Sequence, residues 1–463
     1  MKQHRAPLVK IAWGFIILLV LGLAVLQAMP EKAIKGDSED PIGLVMVQLQ
    51  AEYMLGLANL LGTDQEIASQ AVVLDVGTVG QRQRFMALMI AFGDNGAAKQ
   101  SALKMHTELN EEGLELSQEQ AKTQETLDQL ADGAVLPSDS KSLEGSLGWF
   151  GRLVEADPAQ RAVLDASAGK KVLYAGGIVG FIVVASGFGF VGLVIMLLRL
   201  LHRRVRSGMG KVAQHHGVYA EVFAWWLFVF TVLMSVAGIL ANMISEGNSV
   251  LEMVFSLVAF FGSLVVLLWA RYRGITWDQI RTDIGWRCEA GVCKEVWMGV
   301  VGYAMMLPIL AVGVCITMIL MLFQGAFSGS ADADPFGGTS GGAHPIVLEI
   351  AQGNFQLRVL LVILAAVVAP IVEETMFRGV LYRQLRTMFR NWAIVANVAV
   401  SVLITSFIFA AIHPQGWIAI PALMGIAIGM NLMREWRGSL LPSMLVHGIS
   451  NGLVTTMMLI FLS

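Results

Sequence analysis

Charge is what this sequence has least of. Its 463 residues hold 32 Lys and Arg and 35 Asp and Glu, 14% of the chain, where soluble domains carry about a quarter. Water is therefore not its main solvent. The net charge is only −3, and no basic patch interleaved with aromatics is present, so nucleic acid is not an expected partner. Cysteine is as scarce. Cys288, Cys293 and Cys315 are too few and too badly spaced for a disulfide framework or a four-ligand zinc site, and Cys288 and Cys293 read as free thiols in a reducing loop.

What is present is apolar: 56% of the residues. About nine uninterrupted apolar stretches reach the roughly 20 residues that cross about 30 Å of hydrocarbon as a helix. The expected fold is all-α, a polytopic transmembrane helical bundle of about eight to nine spans with a helical extracytoplasmic insert. Residues 1–30 place Lys2, Arg5 and Lys10 before the apolar run 11–29, a signal anchor or first transmembrane helix. The anchor is the better reading, because the run is long and Leu26 suits cleavage at Ala28 poorly. Residues 31–171 turn to Glu, Gln, Asp, Ser and Ala, with helical periodicity at 45–61 and 109–130. They read as a helical extracytoplasmic region able to bind a partner there, with His106 on its surface.

Further apolar stretches lie at 172–201, 218–244, 250–270, 296–323, 359–372, 392–412, 417–433 and 443–462. Loops with Arg203, Arg204, Arg206 and Lys211, then Arg271, Arg273, Arg281, Arg287 and Lys294, then Arg383, Arg386 and Arg390, then Arg434 and Arg437, alternate with loops lacking Lys and Arg. The positive-inside rule puts the basic loops and the N-terminus in the cytoplasm of a multi-pass cell-membrane protein. A Gly/Ser-rich linker at 325–345 divides a transmembrane unit at 172–324 from a C-terminal one at 346–463.

The C-terminal unit carries ionisable groups where hydrocarbon makes them costly, which marks function. The run from Pro370 to Gly379 places Glu373 and Glu374 about one turn after a proline that frees backbone carbonyls. Adjacent helical residues point about 100° apart, so the two acids face different ways. Glu374 and Arg378 stand at i and i+4 and can pair. Glu373, left without that partner, suits a general base acting on water. Beyond residue 345 the only histidines are His413, before Pro414, and His447, one turn before Asn451. The blander alternative is an interfacial charge cluster with two interhelical histidines. Antiparallel packing across 389–393 levels Glu373 with His413. His447, counted from Arg437, sits nearer the inner surface, so convergence requires the helix after Pro414 to start deep in the bilayer.

Glu373-Glu374-x-x-x-Arg378, Phe409-x-x-x-His413 and His447-x-x-x-Asn451, in this order on successive apolar helices, resemble the CPBP intramembrane peptidases. That family includes the type II CAAX prenyl endopeptidases and the Abi proteins. The resemblance covers about 359–463 and implies an endopeptidase acting on a prenylated, lipidated or transmembrane polypeptide in the lipid bilayer. It implies Glu373 as the catalytic carboxylate activating water with His413 and His447. Asn451, with Arg378, would stabilise the oxyanion, and Glu374 would orient Arg378. Glu373, His413 and His447 also match the ligand set of a catalytic divalent metal such as zinc. The H-E-x-x-H motif of soluble zinc peptidases is absent, which favours Glu/His-activated water without a tightly bound metal. Two other readings stand beside the enzyme. One is a non-enzymatic membrane scaffold or immunity-type factor. The other is a proton-coupled transporter, disfavoured by the lack of an inverted repeat.

Overall fold

A backbone amide in hydrocarbon has no water to bond, so a spanning chain closes its hydrogen bonds within each helix. The computed structural model describes residues 6–28, 41–75, 77–134, 143–201, 208–209, 217–244, 248–327, 349–351 and 353–462, and among these there are helices and no strands. In chain order they are α1 (Ala6–Ala28), α2 (Pro41–Leu61), α3 (Asp64–Ala71), α4 (Val79–Ala91), α5 (Asn95–Glu112), α6 (Gln118–Ala131), α7 (Glu144–Leu147), α8 (Trp149–Glu155) and α9 (Pro158–Leu201). There follow α10 (Val218–Ile244), α11 (Ser249–Tyr272), α12 (Trp277–Ile284), α13 (Val292–Phe327), α14 (Phe355–Met388), α15 (Ile394–Ala411), α16 (Ile420–Arg437) and α17 (Leu441–Leu462). The all-α polytopic bundle expected from the sequence is the architecture observed.

Among the described residues, nine helices are long and apolar enough to cross a membrane: α2, α9, α10, α11, α13, α14, α15, α16 and α17. Membership differs from the sequence reading. The apolar part of α1, Leu8–Leu23, is shorter than these, whereas Gly43–Leu61 of α2, read from the sequence as part of the extracytoplasmic region, qualifies. The periodic stretch 109–130 is two helices. Gly113 ends α5 at φ 68, a left-handed conformation that glycine adopts freely, and Ser117 opens α6 by accepting from Gln120 N. Of the linker 325–345, only 325–327 are described, as the end of α13, and Arg203, Arg204, Arg206 and Lys211 lie outside the described residues.

The chain packs as two units. The first is Met1–Met29, Gly180–Leu320 and Gln352–Thr456, so spans on both sides of the linker share one unit. Close approach inside it comes from glycine. A Cβ on Gly425 of α16 would stand 3.0 Å from Leu310 Cα and 3.1 Å from Ile309 O of α13, and Gly429, one turn on, faces Met306. This small-xxx-small spacing lets two backbones touch where no hydrophobic drive operates between helices.

The same unit buries many of the basic residues that the sequence suggests for loops. Arg386 makes a bidentate pair with Glu435 (3.0 and 3.1 Å), which also accepts from Tyr382 Oη at 2.8 Å. Arg437 pairs with Glu295 (2.6 Å), and Arg273 with Glu221. A buried charge persists only when paired, and each of these pairs ties two helices.

The second unit is Pro30–Val179, Met321–Ala351 and Met457–Ser463. Its core gathers Leu55, Phe85, Met89, Leu127, Phe150 and Leu153 around α4. α4 is buried on so many sides that it carries polar groups inward: Arg82 pairs with Glu108 at 2.6 Å, and Gln83 donates to Gln120 O at 2.8 Å. Lys171 of α9 bridges Glu52 of α2 (2.6 Å) and Phe461 O (3.0 Å). His106 is exposed, as expected.

Replacing Gly425 by Ile forces a branched side chain into the α13 backbone and is expected to destabilise the protein by about 1–3 kcal/mol, read as a lower thermal midpoint in detergent. Gly238→Ala on α10, where a Cβ meets nothing within 4 Å, should leave the midpoint unchanged or raise it. Equal midpoints for the two variants would mean that α13 and α16 do not pack through glycine.

Candidate active site

Five of the six residues singled out in the sequence form one cluster within the first unit. Its base is α14, which is not a uniform α-helix: Leu364–Val368 and Thr375–Leu381 are π-helical and bracket Ala369–Glu374. Pro370 explains the first. In the π turn Ala369 N donates five residues back to Leu364 O, and the next bond in that ladder, from residue 370 to Ala365 O, is one a proline cannot make. Asn451 of α17 makes it instead, with Nδ2 donating to Ala365 O at 2.9 Å. Gly448, one turn earlier on α17, permits the approach, since a Cβ there would run into Ala366 O.

Glu374 and Glu373 point apart, as adjacent helical residues must. Glu374 is fully buried and uses Oε1 twice, accepting from Arg378 Nη1 at 2.7 Å and from His447 Nδ1 at 2.9 Å. Arg378, also fully buried, lays its guanidinium 4.5 Å from the Phe409 ring centroid and donates Nη2 to Ala427 O at 3.4 Å. Phe409 is the hub on α15. Its ring stacks on His413 at 4.3 Å, meets His447 edge-on at 5.8 Å, and its carbonyl lies 2.5 Å from His413 Nδ1.

A carboxylate and a carbonyl can only accept, so both imidazoles carry their proton on Nδ1 and turn Nε2 inward. Glu373 Oε2 faces both: 3.8 Å from His447 Nε2 and 3.9 Å from His413 Nε2. That oxygen is buried and has no hydrogen-bond partner among the described residues. The separations are too long for direct hydrogen bonds and match one water held by two contacts of about 2.8 Å. The Glu373 and His413 side chains keep 18% and 19% of their exposure, so the cluster is reachable from outside.

The turn before His447 sets its height. Ser443 Oγ donates to Met430 O at 2.9 Å, which levels Ser443 with Met430. One further turn raises His447 to the height of Ala427, the residue that accepts from Arg378. That is the height the count from Arg437 gives.

Asn451 joins the cluster only indirectly, its amide donating to Ala365 O, and Arg378 bonds Glu374 and Ala427 while its buried Nε keeps no hydrogen-bond partner among the described residues. Two features escaped the sequence reading. Glu374 holds His447 as well as Arg378, and Asn451 replaces a bond lost to proline. Pro370 announces a freed carbonyl, but the identity of the donor depends on a helix some 80 residues later. Among the described residues no group of three His, Cys, Asp or Glu side chains is arranged to hold a metal ion, so the geometry lends the metal alternative no support.

Residues 355–453 match the family described as type II CAAX prenyl endopeptidase Rce1-like. The match agrees with the resemblance carried by the motifs, and all six residues lie inside the matched span. Comparisons with curated proteins and with solved structures gave no match.

Asn451→Leu leaves Ala365 O buried and unpaired, an expected loss of about 1–3 kcal/mol. Pro370→Ala supplies the missing N–H, so the double variant should recover much of that loss. Strict additivity in a thermal double-mutant cycle would show that Asn451 and Pro370 do not share this carbonyl.

Proposed function

We propose that this Rce1-like membrane domain is an intramembrane endopeptidase that cleaves a membrane-associated polypeptide with water activated by Glu373. The matched family supports this reading, since its description is that of a type II CAAX prenyl endopeptidase. The observation that carries the reading is the unpaired Glu373 Oε2 facing Nε2 of two imidazoles whose Nδ1 atoms are both fixed.

Acceptors around one small space select a molecule with protons to give, and water has two: one goes to Glu373 Oε2 and the other to one of the two Nε2 atoms. Glu373 takes its proton as the water oxygen bonds to the scissile carbonyl carbon. The carbon–nitrogen bond then breaks, and the departing amine leaves with the proton that Glu373 held. The imidazole, of His413 or His447, whose Nε2 accepts the second proton orients the water. Glu374 and Arg378 are positioning residues, the first for His447 and the second for Glu374. Asn451 is a positioning residue for α17 against α14. A site carried on helices long and apolar enough to cross a membrane suits a prenylated, lipidated or transmembrane substrate. The helical region 31–171 is suited to hold a partner outside the cytoplasm.

Glu373→Gln keeps the shape of the side chain and removes the base, and a positioned base contributes about 10²–10⁴-fold. Membrane proteomes from cells carrying the wild type or this variant should differ by a cleavage product present only with the wild type at equal expression. Persistence of every product in the variant would remove the enzyme and leave a scaffold of the same fold. Metal analysis of the purified protein, run alongside, should find no stoichiometric zinc.

A further inference from the structure

Residues 283–288, the end of α12 and the loop after it, lie outside the matched span yet bond to α14, to α16 and to the turn that opens α17. Asp283 pairs with Arg383 of α14 and accepts from Tyr219 Oη at 2.9 Å. Its carbonyl accepts from Arg434 Nη2 of α16 at 2.9 Å. Gly285 O accepts from Leu440 N at 3.0 Å, in the turn that opens α17, and Cys288 Sγ lies 3.7 Å from Ser439 Oγ in the same turn. Trp286 Nε1 donates to Thr375 Oγ1 at 3.0 Å, on the residue that follows Glu374.

Two glycines make this convergence possible. Gly285 takes the left-handed φ of 89°, and a Cβ there would stand 2.7–2.9 Å from the Arg434 guanidinium. Gly379 of α14 admits Ile284, whose Cβ would be 3.0 Å from an added methyl. A glycine is required at both contacts, at the first for conformation and space alike.

The bond from Trp286 meets α14 at its most consequential point. Thr375 Oγ1 accepts it and donates to Ile371 O at 2.7 Å, where the second π-helical stretch begins. The rotation of that turn directs the Glu374 carboxylate, which must meet Arg378 and His447 with one oxygen. Meanwhile Gly285 holds the turn from which His447 is counted. Trp286 remains 40% exposed, so burial alone does not account for its placement.

We infer that the 283–288 segment is a clamp that fixes α14 against α17, and that Trp286 and Thr375 are positioning residues for the contact between Glu374 and His447. The catalytic part of this inference rests on the hydrolytic reading above. Its mechanical part does not.

The test uses the full-length protein in lipid nanodiscs and a peptide spanning a cleavage site found by the proteome comparison. Trp286→Phe keeps the ring and removes the N–H, and Thr375→Val keeps the shape and removes the hydroxyl. One lost hydrogen bond that acts on geometry should lower kcat about tenfold with KM within about twofold. Thr375→Ser should restore kcat. Backbone amide exchange at 440–447 should rise in both impaired variants. Wild-type kcat in Trp286→Phe and Thr375→Val overturns the positioning role, and so does a loss that Thr375→Ser fails to restore. Unchanged exchange at 440–447 overturns the clamp. Glu373→Gln in the same assay separates the two claims: cleavage surviving there defeats the hydrolytic reading, and exchange at 440–447 then decides the clamp alone.

Discussion

One oxygen, Oε1 of Glu374, receives both the guanidinium of Arg378 and the imidazole of His447, and the geometry of the site rests on it. A carboxylate wholly removed from water is tolerable only beside a compensating charge, so Arg378 is a condition for Glu374 being there. Removing one partner of such a buried pair costs roughly 3–5 kcal/mol. Once held, Glu374 fixes the tautomer and tilt of His447, and the neighbouring Glu373 is left to face Nε2 of the same ring. The two adjacent acids thus bracket one imidazole from opposite nitrogens, Glu374 bonding Nδ1 and Glu373 facing Nε2.

A uniform helix would not deliver this arrangement so readily. π-helical turns on either side of Ala369–Glu374 change the rotation of the helix locally, and they occur where i→i+4 bonding is already compromised. At the first turn the cause is Pro370, and the carbonyl it cannot serve becomes the anchor for Asn451. The defect on α14 is therefore what registers α17, since any donor reaching Ala365 O must come from a helix close enough for Gly448 to be necessary. At the second turn, Thr375 bonds both its own helix and Trp286.

Much of the site was legible because it obeys helical spacing. Glu374 and Arg378, Phe409 and His413, and His447 and Asn451 are each one turn apart, and a periodic pattern exposes such pairs. Contacts between distant helices were not legible. Arg383, Arg386 and Arg434 read as loop residues by charge bias alone, yet their partners Asp283 and Glu435 bury them. Periodicity carries no information about which acid on another helix lies at the same height. The break at Gly113 was missed because polar composition continues unchanged through it.

The matched span 355–453 contains every residue of the candidate site, but not everything that holds it. Arg383 and Arg434 meet Asp283, Arg437 meets Glu295, and α16 approaches α13 through glycine. Each contact leaves the Rce1-like domain for a helix that precedes it in the chain. Helices in lipid gain little from hiding apolar surface against one another, so register has to come from polar bonds and close backbone contact. Those bonds are concentrated between 283 and 295 on one side and between 375 and 440 on the other. The candidate site belongs to four helices, then, while the heights at which they meet are set by helices that precede them in the same unit.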